Sequence, residues 1–183
     1  MLPTEIPMKK LLCLALLLSL VAVSCDDGWK VYDASEFSIS FPGTPRDTAT
    51  IQAELSGART YFEPVQGSLD SNVYYSISMY TLPDTVDLLG SKLDDYFRKD
   101  VEIYAWSIGG ILADTGRTVK SGEIEGREYK VTLEGNSGTA TVRKFAYGKH
   151  LYTLLVITAN DRLGNHCVNR FLDSFRLKGK KKK

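Results

Sequence analysis

The sequence predicts an α+β domain, a central antiparallel β-sheet flanked by helices, and two observations carry that expectation. Several segments alternate apolar and polar residues with a period of two, separated by turn residues, as half-buried strands joined by hairpins do. Only residues 85–109 and 163–175 change to the three- and four-residue spacing of amphipathic helices. The resulting order of strands, helix, strands, helix fits helices packed on an antiparallel sheet and argues against a βαβ repeat.

Phe37-Ser38-Ile39-Ser40-Phe41 is the clearest strand, and Pro42-Gly43-Thr44-Pro45 ends it. A short strand is expected over 48–55, and two more over 58–65 and 73–80, joined across the polar stretch 66–72 as an antiparallel hairpin. In the first helix Leu88, Leu89, Leu93, Tyr96, Phe97, Val101 and Tyr104 share one face, while Lys92, Asp94, Asp95, Arg98 and Lys99 fill the other. Asp84 or Thr85 caps its start, Gly109-Gly110 stops it, and residues 103–108 read as its exit. Strands follow over 112–121, 127–133 and 139–147, with turns at 122–126 and 135–138. Residues 151–158 are almost continuously apolar, so both faces should be covered, and this is the expected central strand. The last helix aligns Leu163, Cys167, Val168, Phe171, Leu172 and Phe175.

Residues 8–25, ahead of this domain, read as a bacterial lipoprotein signal. Lys9 and Lys10 form the charged start, about a dozen apolar residues follow, and small residues lead into Cys25. The run falls short of the ~20 apolar residues a spanning helix needs. Residues 2–7 hold two prolines and an acid, which suit no charged start, so translation is expected to begin at Met8. The segment resembles a lipobox, whose cysteine becomes the mature N-terminus and carries the lipid. Ser24 supplies the small residue before it, and Ala22 departs from the aliphatic residue usual three places ahead. Asp26 resembles an inner-membrane retention signal of enteric bacteria, whereas in other lineages acids here accompany export. The expectation is the outer membrane of the cell envelope, with the membrane reached through a lipid anchor at Cys25, since two or more acyl chains hold a protein durably.

The organisation expected is a signal over 1–24, a lipidated N-terminus and tether over 25–36, one domain over 37–177, and a basic tail over 178–183. Removing Lys9, Lys10 and Glu5 leaves about 21 basic and 21 acidic residues, and five of the bases sit in the tail. The body is therefore acidic and suits no nucleic acid. The tail is read as a solvated terminus, with contact to anionic lipid headgroups as the alternative. Of three cysteines, Cys13 leaves with the signal and Cys25 takes the lipid, so Cys167 is expected as a buried, inert thiol without an intrachain disulfide.

At this point the sequence resembles a known family. The segments 37–45, 122–129 (Gly-Glu-Ile-Glu-Gly-Arg-Glu-Tyr), 149–154 (Lys-His-Leu-Tyr-Thr-Leu) and 169–176 (Asn-Arg-Phe-Leu-Asp-Ser-Phe-Arg) are similar, in that order, to those of PsbP-like domains. The resemblance implies a central antiparallel sheet between helical layers, an α/β/α sandwich, and an exported lipoprotein. It implies no activity, because fold analogy alone gives little warrant for one.

The candidate chemistry is sparse. A hydrolase needs a nucleophile, a base and an orienting group in reach, and the only histidines are His150 and His166. Ser137 lies in Gly135-Asn136-Ser137-Gly138, which lacks the Gly-x-Ser-x-Gly spacing and reads as a hairpin turn. His166 and Cys167 are adjacent, so on a helix they diverge by about 100° and cannot share one zinc ion. Asp84, Asp87, Asp94, Asp95, Asp100 and Glu102 match no calcium-binding loop. No phosphate-cradling glycine loop appears, and no cofactor or metal is expected. Trp106, Tyr74 and Tyr75 remain as binding-surface candidates: Trp106 as a pocket lip or packed over the sheet edge, the tyrosines because strand neighbours point to opposite faces. The reading is a non-enzymatic, lipid-anchored envelope protein that binds or assembles with an envelope partner; the alternative is a ligand-binding or weakly catalytic lipoprotein with a pocket between sheet and helix.

Overall fold

A computed structural model of the chain describes residues 28–43, 46–49, 59–63, 72–82, 91–159 and 166–178. Three short strands come first, β1 (Lys30–Asp33), β2 (Phe37–Phe41) and β3 (Arg46–Ala49). β4 (Arg59–Glu63) and β5 (Asn72–Thr81) precede helix α1 (Ser91–Ser107). Then come β6 (Gly110–Leu112), β7 (Arg117–Ser121), β8 (Ile124–Leu133), β9 (Gly138–Tyr147) and β10 (His150–Ala159). Helix α2 (His166–Ser174) and β11 (Arg176–Leu177) follow.

Among the described residues, eight strands form one antiparallel sheet in the order β3-β4-β5-β10-β9-β8-β6, and β7 pairs with the remaining length of β8. β1, β2 and β11 form a separate three-stranded sheet. β10 is the central strand, as its apolar run predicts, held in long register by β9 and β5.

Side chains alternate along each strand, so the large sheet has two distinct faces. On one, Tyr75, Ile77, Phe145, Tyr152 and Leu154 meet β2 and α2 through Phe37, Ile39, Phe41, Phe171 and Phe175. Edge-on aromatic contacts recur there, Tyr75 with Phe171 at 5.2 Å and Phe41 with Phe171 at 5.1 Å. Ser174 fixes α2 to β2: its Oγ accepts from the Ser40 amide at 2.9 Å and donates to the Phe171 carbonyl at 2.7 Å. On the other face Phe97, Val101 and Ala105 of α1 cover Val131, Ala140, Val142, Leu151 and Leu155. The layers are thus α1, the large sheet, and a third layer of α2 with the small sheet, the expected α+β sandwich with one layer partly built of strands.

Several boundaries differ from the sequence reading. Residues 30–33, read as tether, form β1 and pair along β2 from Lys30 opposite Phe41 to Asp33 opposite Ser38. The expected strand over 112–121 is two strands, because Gly116 turns the chain with a φ of +85°, and its amide donates to Asp114 Oδ1 at 3.1 Å. A Cβ there would stand 2.4 Å from the Tyr129 ring, so only glycine fits. Residues 103–107 continue α1 and are not its exit. β3 covers 46–49; of the strand expected over 48–55, residues 48–49 belong to it and 50–55 lie outside the described residues. Lys178, assigned to the tail, belongs to the fold: its Nζ meets Asp33 at 2.7 Å and its amide donates to the Glu36 carbonyl at 2.8 Å. Leu88, Leu89, Leu163 and the caps Asp84 and Thr85 lie outside the described residues.

The α2-facing side of the sheet also buries charge. Arg143 of β9 donates through Nε to Glu128 Oε2 of β8 at 2.5 Å and through a terminal nitrogen to Asp173 Oδ1 of α2 at 2.6 Å. Glu128 is buried and accepts a second bond at Oε1 from Arg117 Nε of β7, at 2.7 Å. Removing one partner of a buried pair strands the other charge and costs about 3–5 kcal/mol, whereas an exposed one contributes about 0–1 kcal/mol. Glu128→Ala is therefore expected to lower unfolding free energy several times more than Arg117→Ala, whose side chain is exposed. Urea denaturation of both variants measures the difference, and equal effects would contradict it.

Candidate functional site

The polar groups of the α1-facing side converge on one place. The register sets Lys144 of β9 opposite Thr153 of β10, and Thr153 opposite Ser78 of β5. Two residues along the strands, Val142, Leu155 and Ser76 form a parallel row. Above them α1 supplies Asp100, Tyr104 and Ser107, whose i, i+4, i+7 spacing puts them on one helical face. Together these residues, with Val101 and Ile103, line a half-open cleft of about 560 Å³ between sheet and helix, within the range of small-molecule sites.

Lys144 is the chemical centre of this cleft. Its side chain is only 7 % exposed, and its Nζ donates to Thr153 Oγ1 at 2.7 Å and ion-pairs with Asp100 Oδ2. Burial pulls its ammonium below the usual lysine range, while Asp100 pulls the other way. The surrounding phenols shift oppositely. Burial pushes Tyr104 up to about 12, helped by Tyr74. Burial also raises Tyr74, against a hydrogen bond with Ser76, and raises Tyr96, with Asp100 and Tyr80 adding to it. At neutral pH these tyrosines are protonated, so the region offers hydroxyls, one buried ammonium and one carboxylate. That set suits hydrogen-bonded recognition.

A second feature lies on the outer side of α1. Trp106 is 83 % exposed and, with Lys99, Glu102 and the 67 % exposed Ile103, walls a shallow groove. Ile111, on the adjoining strand β6, is 76 % exposed. Trp106 therefore does not pack over the sheet edge.

The other candidates separate. Tyr75 is fully buried in the α2-facing core and forms no part of a surface, which corrects its selection; Trp29 covers its ring edge-on at 6.2 Å. Tyr74 is half-buried on the α1-facing side. Ser137 is exposed, and its Oγ donates to the Glu134 carbonyl at 2.9 Å within a 3-10 turn. His150 sits at the opposite end of the β9–β10 ladder, where its Nδ1 meets Thr81 Oγ1 at 3.1 Å. Ten residues of strand separate the two by about 30 Å, so they form no dyad. His166 is exposed at the start of α2. Asp94 is paired with Arg127, Asp95 and Glu102 with Arg98, and Asp100 with Lys144; Asp84 and Asp87 lie outside the described residues. Among the described residues no three potential metal ligands cluster, and no described helix is long and apolar enough to cross a membrane.

Cys167 requires a correction. It is buried on α2 as its position on the apolar face predicts, but it is disulfide-bonded, not a free thiol. The chain's other cysteines, Cys13 and Cys25, lie outside the described residues. The described N-terminal segment does run beside α2: the Arg170 guanidinium lies 4.6 Å from the Trp29 ring centre, one helical turn from Cys167.

Sequence reasoning offered a pocket between sheet and helix as its alternative but missed Lys144 and the residues that line it. The signal was the pair Arg143-Lys144 inside an otherwise uncharged strand, two charges that alternation must send to opposite covered faces.

Helices on both sides of an antiparallel sheet, one layer completed by a small second sheet, define a PsbP-like fold. Solved structures bear this out. The chain superposes on cyanobacterial PsbP (CyanoP) from Synechocystis with a TM-score of 0.58 and 15% identity, covering 82% of this chain and 93% of that one. It superposes on the Saccharomyces cerevisiae Ran-binding protein Mog1p with a TM-score of 0.50 and 10% identity, covering 82% and 95%. No protein-family model matches the sequence, and no curated protein matches it.

The Tyr104 phenol gives the cleft a pH signature. Its folded pKa of about 12 exceeds the ordinary tyrosine value of 10.0, so its contribution to stability is complete below about pH 10 and is lost as the pH climbs towards 12. Tyr104→Phe should flatten that alkaline loss, measured as unfolding free energy in urea across this window. Tyr152, also pushed up to about 12 by burial, accounts for part of the fall that remains. An unchanged slope would show that the phenol is not buried as described.

Proposed function

We propose that the chain is a lipid-anchored cell-envelope protein of the outer membrane, whose PsbP-like domain is a non-enzymatic binding or assembly module. The observation that carries this reading is Trp106, a tryptophan exposed over most of its surface on a rigid helix, beside the exposed Ile103. Tryptophan concentrates at the energetic centres of protein interfaces, and an exposed aromatic surface next to aliphatic neighbours is a docking surface in need of cover. The partner is another envelope protein presenting an apolar segment, because the groove is shallow, open and walled by one helix face. The separation of Ser137 from His150 supports the non-enzymatic part.

The anchor is Cys25, and it competes with the disulfide for sulfur. Processing at Cys25 would remove Cys13 and place the lipid on the Cys25 sulfur, so this anchor and a disulfide at Cys167 within one chain exclude each other. Each cysteine that could bond Cys167 is then lost as a partner. Mass spectrometry of the protein from cells decides this. A diacylglycerol-modified Cys25 is the expected result, and a Cys25–Cys167 crosslinked peptide would overturn the anchor.

In-cell crosslinking tests the module. The lipidated protein should capture a reproducible envelope partner, Trp106→Ala should reduce capture at least tenfold, and Cys25→Ala should release the protein from membranes. Capture unaffected by Trp106→Ala would remove α1's outer face from the reading. A second reading, a ligand-binding lipoprotein, is favoured by one specific observation, the cleft around Lys144 with its converging polar groups.

A further inference from the structure

We propose that the cleft beneath α1 binds a small amphiphile, with an uncharged hydrogen-bonding head seated on Lys144 and Asp100 and a short apolar chain along Val142, Leu155 and Ile103. The inference rests on the ligand-binding reading and specifies its ligand class.

The head group follows from the floor of the cleft. An ammonium has three N–H donors, and among the described residues Lys144 directs them to two acceptors, Thr153 Oγ1 and Asp100 Oδ2. One donor is left for a ligand. The Asp100 ion pair uses Oδ2, and Oδ1 has no hydrogen bond or ion pair with another described residue, so the same spot offers an acceptor. The pair is electrically neutral and presents one donor beside one acceptor. A carboxylate head would approach Lys144 only against the charge of Asp100, and an ammonium head would reach Asp100 only against Lys144. A hydroxyl accepts from one and donates to the other, so a head rich in hydroxyl groups satisfies both.

The chain follows from the walls. Val142 and Leu155 of the sheet lie beside the polar row, Val101 of α1 faces the same cleft, and Ile103 stands at its rim, largely exposed. Each methylene buried there adds affinity in proportion to the apolar area it removes from water, so a chain of several carbons supplies the affinity and the head supplies the orientation. Trp106 faces the separate groove and takes no part.

The probe is octyl glucoside below its micelle concentration, titrated into the isotopically labelled full chain and followed by nuclear magnetic resonance. Octanoate and octylamine serve as comparisons with the same chain and a charged head. The expected result is that the glucoside shifts resonances of Asp100, Tyr104, Val142 and Leu155 and binds at least tenfold more tightly than either charged probe. Lys144→Met should weaken it at least tenfold. Ser107→Trp, at an exposed rim position that leaves the core intact, should block it, and Trp106→Ala should leave it unchanged. Preference for octanoate or octylamine at these residues would overturn the head-group assignment while the ligand-binding reading stands. Shifts elsewhere, or binding indifferent to both cleft variants, would overturn the inference and that reading together.

Discussion

The structure depends on a sheet covered on both faces, and above all on the long ladder between β9 and β10 at its centre. A strand with one wet face can spend alternate positions on charged residues, but here neither face is wet. Residues 140–145 are buried without interruption, and that run includes Arg143 and Lys144. Because neighbours on a strand point to opposite sides, the two charges enter different layers, and each layer must answer one of them. Arg143 is answered by Glu128 and Asp173, which ties β9 to β8 and to α2. Lys144 is answered by Asp100 and Thr153, which ties it to α1 and β10. A single dipeptide thereby fixes where both helices sit.

The two answers differ in kind. Around Arg143 the aromatic core closes tightly, with the Phe175 ring against both Phe145 and Tyr152. Around Lys144 the helix stands off from the sheet along a polar row, leaving room for a cleft. Buried ion pairs are seldom retained for stability, since well-packed apolar residues of similar volume often do as well or better. The Arg143 network has an architectural task in joining three elements. The Lys144 pair joins a helix to a strand where packing is incomplete, and that incompleteness is what a binding site requires.

Much of the fold was legible because period-two and period-3.6 patterns are written directly in residue order. β2 matches its reading from Phe37 to Phe41, and the continuous apolarity of residues 151–158 identified the centre of the sheet. What escaped was set by tertiary partners. β1 is four residues long with three of them exposed, so it has no apolar pattern to read, and it exists because β2 offers an edge. Trp106 stands nine residues after Phe97, about 180° around the helix from the buried face, and it projects outward; reading 103–108 as the helix exit hid that placement. Tyr75 shows the converse: chosen for a surface, it fills the core between Trp29 and Phe171. The cleft was least legible because Lys144, Thr153, Ser78 and Asp100 come from four elements and meet only through register.

The position of the N-terminal segment links anchor and site. Trp29 packs against Tyr75 and under Arg170, so the described chain begins on the α2-facing side of the sheet. On the proposed anchoring, the lipid at Cys25 lies four residues ahead of Trp29, a reach of at most about 14 Å for extended chain. So short a tether would hold the α2 side towards the bilayer. The Lys144 cleft and the Trp106 groove belong to the opposite side, with α1. The sheet would then separate a membrane-facing layer from a partner-facing one, and both features proposed to bind would point away from the lipid surface.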